Sequence, residues 1–346
     1  MSPQQLRHRL QSFPRLSLSH NPTPLQPLPR LTTQLDGPQI WLKRDDELGP
    51  GGGGNKGRPL EFLLGEALAQ QKRKVITFGG LQSNHARMTA AACARLGLQT
   101  HLFFFEKRPS ALQGNLLLDQ LFGAKLHFIP FGGGGDATMT LETTIRLVRL
   151  VSWLFVGPGA YFMPVGGHTA VGCLGYAAAA VEFQVQVRQL GLDPEKVTII
   201  LPVGTGVTLA GLWAGFWLLG SPIQVLGIDV GKLWRTFPAS IARLAGEVCA
   251  LLGQPHTFAP AEVPLIEKTY VGAGYAKLRA EAAAAIKLLA QTEGIVLDPV
   301  YSGKAFAGLL DLVGNGRFPA NTQIIFLHTG GLPGLWPYAM EMTRET

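Results

Sequence analysis

Residues 197–203, VTIILPV, form an almost wholly apolar, β-branched run, and Gly204-Thr205-Gly206 follows at once. A strand that is apolar along its whole length has no solvated face, so it belongs in a parallel sheet covered on both sides. Such sheets are built by alternating strands with crossover helices, and the rest of the chain has that rhythm. Residues 40–43 predict a short strand, and Gly49-Pro50-Gly51-Gly52-Gly53-Gly54 predicts a loop. Leu60, Leu63, Leu64, Ala67 and Leu68 share one face of a helix predicted over 58–71. Lys74–Phe78 reads as a buried strand, 83–96 as an alanine-rich helix, and 101–105 and 126–130 as further strands. A helix over 208–219, a strand over 224–230, a helix within 273–293 and a strand at Gln323–Leu327 complete the pattern. The prediction is an α/β fold with parallel-rich sheets flanked by helices. At 346 residues it predicts two domains, with ligands in the cleft at the carboxyl ends of the strands.

Composition narrows the function. Charged residues make up 15%, against roughly 25% in average chains, and apolar residues 47%, which excludes disorder as the main state. The stretches 150–181 and 197–228 carry no charge, but glycine and proline interrupt both, so they read as buried strands joined by glycine turns rather than membrane spans. The first residues contain no apolar h-region, so the expectation is a soluble, cytoplasmic protein. Cys93, Cys173 and Cys249 are widely spaced in apolar surroundings and read as core fillers, with no metal site expected. Net charge is +7, but the thirty Lys and Arg residues are scattered, so nucleic-acid binding is not expected.

Several glycine-bearing segments carry chemistry. Lys56 follows the glycine loop in Gly54-Asn55-Lys56 and precedes a helix. The spacing misses a phosphate-binding GxxxxGK[ST] loop by one residue, and no Ser or Thr follows to hold Mg²⁺. Gly79-Gly80-Leu81-Gln82-Ser83-Asn84-His85 joins a strand to a helix. The unpartnered N–H groups of a helix start attract anions such as a carboxylate. Ser83 also reads as an ordinary N-cap. Gly204-Thr205-Gly206-Val207-Thr208 offers successive N–H groups and two hydroxyls to a phosphate. A dinucleotide fingerprint, with Asp229 as its acidic partner, fails because Leu209 stands where GxGxxG requires a small residue. Later segments add Tyr275 after Gly274, Tyr301-Ser302-Gly303, and His328-Thr329-Gly330-Gly331. A lysine, a phosphate cup and a carboxylate-binding helix start are what pyridoxal 5′-phosphate chemistry requires.

These residues carry a resemblance. The segments WLKRDDELG, GGNKGRPLEFLL, TFGGLQSNHARMTAAACARLGL, PVGTGVTLAGL, DPVYSGKAFAGL and HTGGLPGLW occur in order between about residues 40 and 336. The sequence resembles the D-cysteine desulfhydrase/1-aminocyclopropane-1-carboxylate (ACC) deaminase family of fold-type II pyridoxal phosphate enzymes, whose fold is like the β subunit of tryptophan synthase. The resemblance implies a large cofactor-binding domain from residues 1–50 and 164–346, a small substrate-side domain from 51–163, and a homodimer. It implies that Lys56 links to the cofactor and acts as the base at the substrate Cα, with Asn55 beside it. Gln82, Ser83, Asn84 and His85 would bind the substrate carboxylate, with Asn84 near the ring oxygen. Gly204, Thr205, Gly206, Val207 and Thr208 would hold the phosphate. Tyr275 and Tyr301 match the active-site tyrosines. Thr329, with Ser302 nearby, would face the pyridine nitrogen.

Three positions choose within the family. ACC deaminases read QSNQ, YEGK and HLGG, where this chain has His85, Ser302 and Thr329. The expected reaction is therefore β-elimination of D-cysteine to pyruvate, sulfide and ammonia. ACC deamination, L-cysteate sulfo-lysis and a non-catalytic relative that only binds the cofactor or a phosphate compound are the alternatives. Two departures stand out. Val207 replaces a second glycine in the phosphate loop, and Gly57 and Pro59 replace a bulkier residue and a lysine after Lys56.

Overall fold

A computed structural model of the chain describes residues 1–130 and 139–343. Among the described residues ten strands lie in two sheets: β1 (Leu25–Pro27), β2 (Gln39–Lys43), β3 (Lys74–Phe78), β4 (Gln99–Phe104), β5 (Lys125–Phe128), β6 (Tyr161–Phe162), β7 (Val197–Val203), β8 (Gln224–Asp229), β9 (Leu265–Ile266) and β10 (Gln323–Leu327). The larger sheet has the order β1-β2-β10-β7-β8-β9, and the smaller β5-β4-β3-β6. Among these ten strands only β1 runs antiparallel to its neighbour; the other strand pairings are parallel.

Every residue of β7 is buried, and period-two alternation sorts its side chains into two cores. Val197, Ile199, Leu201 and Val203 face the helices Ala170–Gln189, Val207–Leu219 and Phe237–Leu251. Ile200 joins Ile40, Leu42, Ile324 and Phe326 on the other face, against the helices Ala280–Glu293 and Ser302–Gly314. The smaller sheet is covered by the helices Gly57–Ala69 and Asn84–Leu96 on one side. Helix Leu141–Val156 packs near Phe103 and Phe78 through Val148.

Helix Gly57–Ala69 belongs to both halves. Its Phe62 lies in the core of the larger sheet, while Leu60, Leu63 and Leu64 lie in that of the smaller. Its first turn is anchored by a buried ionic cluster. Arg58 holds Asp45 through two bonds of 2.8 Å and Glu182 through Nη1 at 2.9 Å. Lys43 pairs with Glu182 from the other side. Opposing cations hold the Glu182 carboxyl down at about 2 despite burial.

The charge-free stretch 150–181 is not a set of strands, which corrects that expectation. It holds the end of helix Leu141–Val156, the two-residue β6 and most of helix Ala170–Gln189. That last helix is apolar on nearly all sides, so it shows no helical periodicity. It is long and apolar enough to cross a membrane, but Leu174, Tyr176 and Phe183 are fully buried in the fold. The expected helix within 273–293 begins only at Ala280; the residues before it form a loop around Gly274, whose φ is 132°. Cys93, Cys173 and Cys249 are all buried and free.

Candidate active site

Lys56 ends the glycine loop as the N-cap residue of helix Gly57–Ala69. The residue before it is tied down twice. Asn55 donates from its backbone N–H to the carbonyl of Thr329 at 3.0 Å, and from Nδ2 to the hydroxyl of Thr208 at 3.0 Å. Gly54 also bridges to Gly330. Three segments far apart in sequence thus meet at the lysine. The departure at Gly57 has a local cause: a Cβ there would stand 2.6 Å from the Ser19 hydroxyl and 3.4 Å from the backbone of Gly49. Pro59 occupies the helix's first turn, where no N–H is lost.

Lys56 reaches into a cavity of about 730 Å³ bounded by both sheets' loops. Its Nζ donates to the carbonyl of Gly166 at 3.0 Å. Burial lowers its pKa to about 8, against a smaller opposing pull from Cys173. The same cavity is lined by Asn55, Gln82, Ser83, Asn84, His85, the segment from Gly204 to Thr208, Tyr275, Tyr301 and Thr329.

The Gly204–Thr208 segment opens helix Val207–Leu219, which no side chain caps, so its first N–H groups have no internal partner. Gly206 takes a φ of 82°, which supplies the left-handed bend of this turn. Val207 is already helical and 1% exposed, so the β-branched departure falls where the backbone tolerates it. Two side chains tie the loop's carbonyls. Trp234 Nε1 donates to Gly204 at 3.0 Å, and His168 Nδ1 donates to Thr205 at 2.7 Å.

At the other helix start, Ser83 does cap helix Asn84–Leu96, accepting from the Ala86 N–H at 3.2 Å. Gln82 is committed to the neighbouring turn: its Oε1 accepts from Asn115 N–H at 2.9 Å and its Nε2 donates to Gln113 at 3.1 Å. Asn84 Oδ1 accepts from Asn115 Nδ2 at 2.8 Å. His85 Nε2 meets the Thr77 hydroxyl at 3.1 Å, and its Nδ1 is buried. Burial, then the nearby Lys56 charge, push the His85 pKa well below its usual value, so the ring is neutral.

Tyr275 and Tyr301 hydrogen-bond hydroxyl to hydroxyl, with ring centroids 5.8 Å apart at 67°. Burial raises both phenols, so each keeps its proton at neutral pH. Ser302 is fully buried in the first turn of its helix, and its hydroxyl donates to Asp298 Oδ1 at 2.6 Å. Asp298 in turn accepts from the N–H groups of Val300, Tyr301 and Ser302. Thr329 lines the cavity. Asp229 accepts from the N–H groups of Gly231 and Lys232, which gives it a turn-forming role.

Sequence reasoning missed His168, Trp234, Asn115 and Tyr338. The last lines the cavity and donates to the Ala276 carbonyl at 2.7 Å. Only His168 had a local signal, the glycine pair Gly166-Gly167 before a helix start.

An open helix start built for an anion, a partly neutral lysine and a second helix start in one cleft fit the phosphate, aldehyde and substrate ends of pyridoxal phosphate chemistry. Residues 16–330 match the model of the family described as pyridoxal-phosphate dependent enzyme, and the chain belongs to that family. The fold is that of the fold-type II members. Over 333 residues the chain is 38% identical to a putative 1-aminocyclopropane-1-carboxylate deaminase of Pyrococcus abyssi, covering 96% of each. It is also 38% identical over 344 residues to a D-cysteine desulfhydrase of Salmonella newport, covering 96% of this chain and 98% of the relative. The solved structure of an ACC deaminase homologue superposes with a TM-score of 0.84 at 35% identity, covering 99% of both chains.

Proposed function

We propose that this enzyme is a carbon–sulfur lyase that converts D-cysteine to pyruvate, sulfide and ammonia. The observation that carries the reading is the joint presence, around one cleft, of Lys56, the 83–85 helix start, the 204–208 cup and the paired tyrosines. His85, Ser302 and Thr329, where ACC deaminases resemble one another with Gln, Glu and Leu, favour the desulfhydrase side. Bound pyridoxal phosphate supplies an electron sink for the charge left when a Cα proton departs.

The chain's own residues do the rest. Gly204, Thr205, Gly206, Val207 and Thr208 hold the phosphate with backbone N–H groups and hydroxyls. Lys56 tethers the cofactor and moves the Cα proton; desolvation keeps part of its amine neutral near pH 8. The N–H groups of Asn84 and His85, with Ser83 and Gln82 shaping the turn, hold the substrate carboxylate. Neutral His85 lines the same cavity beside Lys56. Tyr275 and Tyr301 keep a proton available for the departing sulfur. Thr329 would offer the cofactor ring a hydroxyl instead of a carboxylate, while Ser302 is tied to Asp298 behind the cavity. The working unit is a homodimer in the cytoplasm, with the cofactor domain built from 1–50 and 164–346 and the substrate-side domain from 51–163; three unpaired cysteines suit a reducing compartment.

ACC ring opening to 2-oxobutanoate is the second reading, supported by the equal identity of the Pyrococcus relative. Release of 2-oxo acid by purified protein from D-cysteine, L-cysteine, β-chloroalanine, L-cysteate and ACC separates the readings. Pyruvate with sulfide from D-cysteine supports the first. Oxo acid from ACC alone overturns it in favour of the second. No oxo acid from any of them marks a binder without turnover.

A further inference from the structure

A continuous chain of side chains runs from solvent to the back of the cup. His168 Nδ1 contacts the Thr205 carbonyl at 2.7 Å. Its Nε2 meets Ser240 Oγ at 3.1 Å, and Ser240 Oγ meets Glu142 Oε1 at 2.5 Å. Arg243 Nη2 closes the outer end on Glu142 at 2.9 Å. His168 and Ser240 are each 5% exposed, whereas Glu142 is one-third exposed. The chain crosses between structural halves. Glu142 lies in the first turn of helix Leu141–Val156, which packs on the smaller sheet, and Ser240 lies on helix Phe237–Leu251, in the core of the larger.

The proton count is uneven. A carbonyl and a carboxylate, both pure acceptors, stand at the two ends. Three hydrogen bonds between them need three protons. A neutral imidazole and a hydroxyl bring two. All three bonds form only when one more proton enters, and with Glu142 ionised that proton belongs on His168: Nδ1–H to Thr205, Nε2–H to Ser240, and Ser240 O–H to Glu142.

Other charges around the ring set when it enters. Burial lowers the His168 pKa to about 4 against the pull of the Thr205 carbonyl; Arg243 and Lys56 also oppose an imidazolium, and Glu142 favours it. Ser240 and Arg243 hold the Glu142 carboxyl at about 2, so it does not keep the proton either. An empty cup at neutral pH therefore leaves the chain one proton short. A phosphate held at the Gly204–Thr208 loop would add negative charge behind the Thr205 peptide, which favours the imidazolium.

We infer that His168 is a positioning residue that takes up one proton from solvent, by way of Glu142 and Ser240, when a phosphate-bearing cofactor fills the Gly204–Thr208 cup. The proton closes the hydrogen-bonded chain, fixes the loop from behind and locks the helix Leu141–Val156 side of the cleft to the helix Phe237–Leu251 side. This inference rests on the reading of that loop as a phosphate site.

The test is calorimetric binding of pyridoxine 5′-phosphate, which carries the phosphate but no aldehyde and so leaves Lys56 chemistry aside. Apoprotein is titrated at pH 7.5 in two buffers of different ionisation enthalpy, which counts protons taken up per ligand. The wild type is expected to take up about one proton more than His168→Gln, whose amide still donates to Thr205 but cannot ionise. Ser240→Ala, which removes the acceptor for Nε2–H, is expected to lose the same proton, which covers the case of a poorly folding His168 variant. Wild-type affinity is expected to strengthen as pH falls, by up to tenfold per unit relative to either variant. Equal proton counts in wild type and both variants would overturn the inference while leaving the phosphate site standing. Failure of the wild type to bind the ligand at all would overturn the phosphate site, and the inference with it.

Discussion

The amide of Asn55 donates to the hydroxyl of Thr208 across 153 residues of sequence, joining the position before Lys56 to the last residue of the phosphate cup. The bond makes lysine and cup one unit. A net contribution of about 1 kcal/mol is ordinary for such a bond. Asn55→Ala is therefore expected to weaken pyridoxal phosphate binding about five- to tenfold, measured by fluorescence titration of apoprotein. An unchanged affinity would show that the two loops are positioned independently.

Lys56 sets the second prediction. Lys56→Ala is expected to abolish both turnover and the visible absorbance that develops when pyridoxal phosphate is added. In the wild-type apoprotein, capture of the cofactor needs the neutral amine. With a pKa near 8, the capture rate should rise roughly tenfold per pH unit below that value and level off above it. A plateau reached only above pH 10 would mean the amine is solvated rather than buried.

The ionic cluster under the first turn makes a stability prediction. Glu182→Gln leaves Arg58 and Lys43 short of a buried counter-charge, at a cost of about 3 kcal/mol in urea unfolding. The wild type adds a pH signature. The folded Glu182 carboxyl titrates at about 2, below the ordinary 4.5, so its stabilisation is complete above about pH 4.5 and is lost as pH falls towards 2. The variant should lose less stability than the wild type across that window.

Ser302 and Thr329 are expected to separate by phenotype. Ser302→Ala strips the buried Asp298 of one donor and should destabilise the fold by about 1–2 kcal/mol. Thr329→Ala touches the cavity wall, so it should shift the absorption maximum and affinity of the bound cofactor while leaving the unfolding midpoint nearly unchanged. Identical behaviour of the two variants would contradict this division.

What could be read from the sequence follows from how local each signal is. β7 and the Gly204-Thr205-Gly206 turn are legible because burial on both faces and a left-handed bend leave their marks in adjacent residues. Ser83 was legible as a cap for the same reason. The helix Ala170–Gln189 was not, because a helix buried all round carries no periodic stripe. Strands β6 and β9 have two residues each, too few to alternate. Trp234 and His168 stand 30 and 37 positions from the carbonyls they hold; the glycine pair before His168 marks a turn, but neither contact can be read from adjacent residues. Thr329 and Ser302 looked alike as hydroxyls beside glycine; only Asp298, four residues before Ser302, distinguishes them.

Helix Gly57–Ala69 is keyed by Phe62 into one half of the molecule and by Leu60, Leu63 and Leu64 into the other. A rod gripped at both flanks makes a poor elbow. Any slip of one flank against the other would have to unseat one of these two packings, so the amine at the helix tip is braced from both directions.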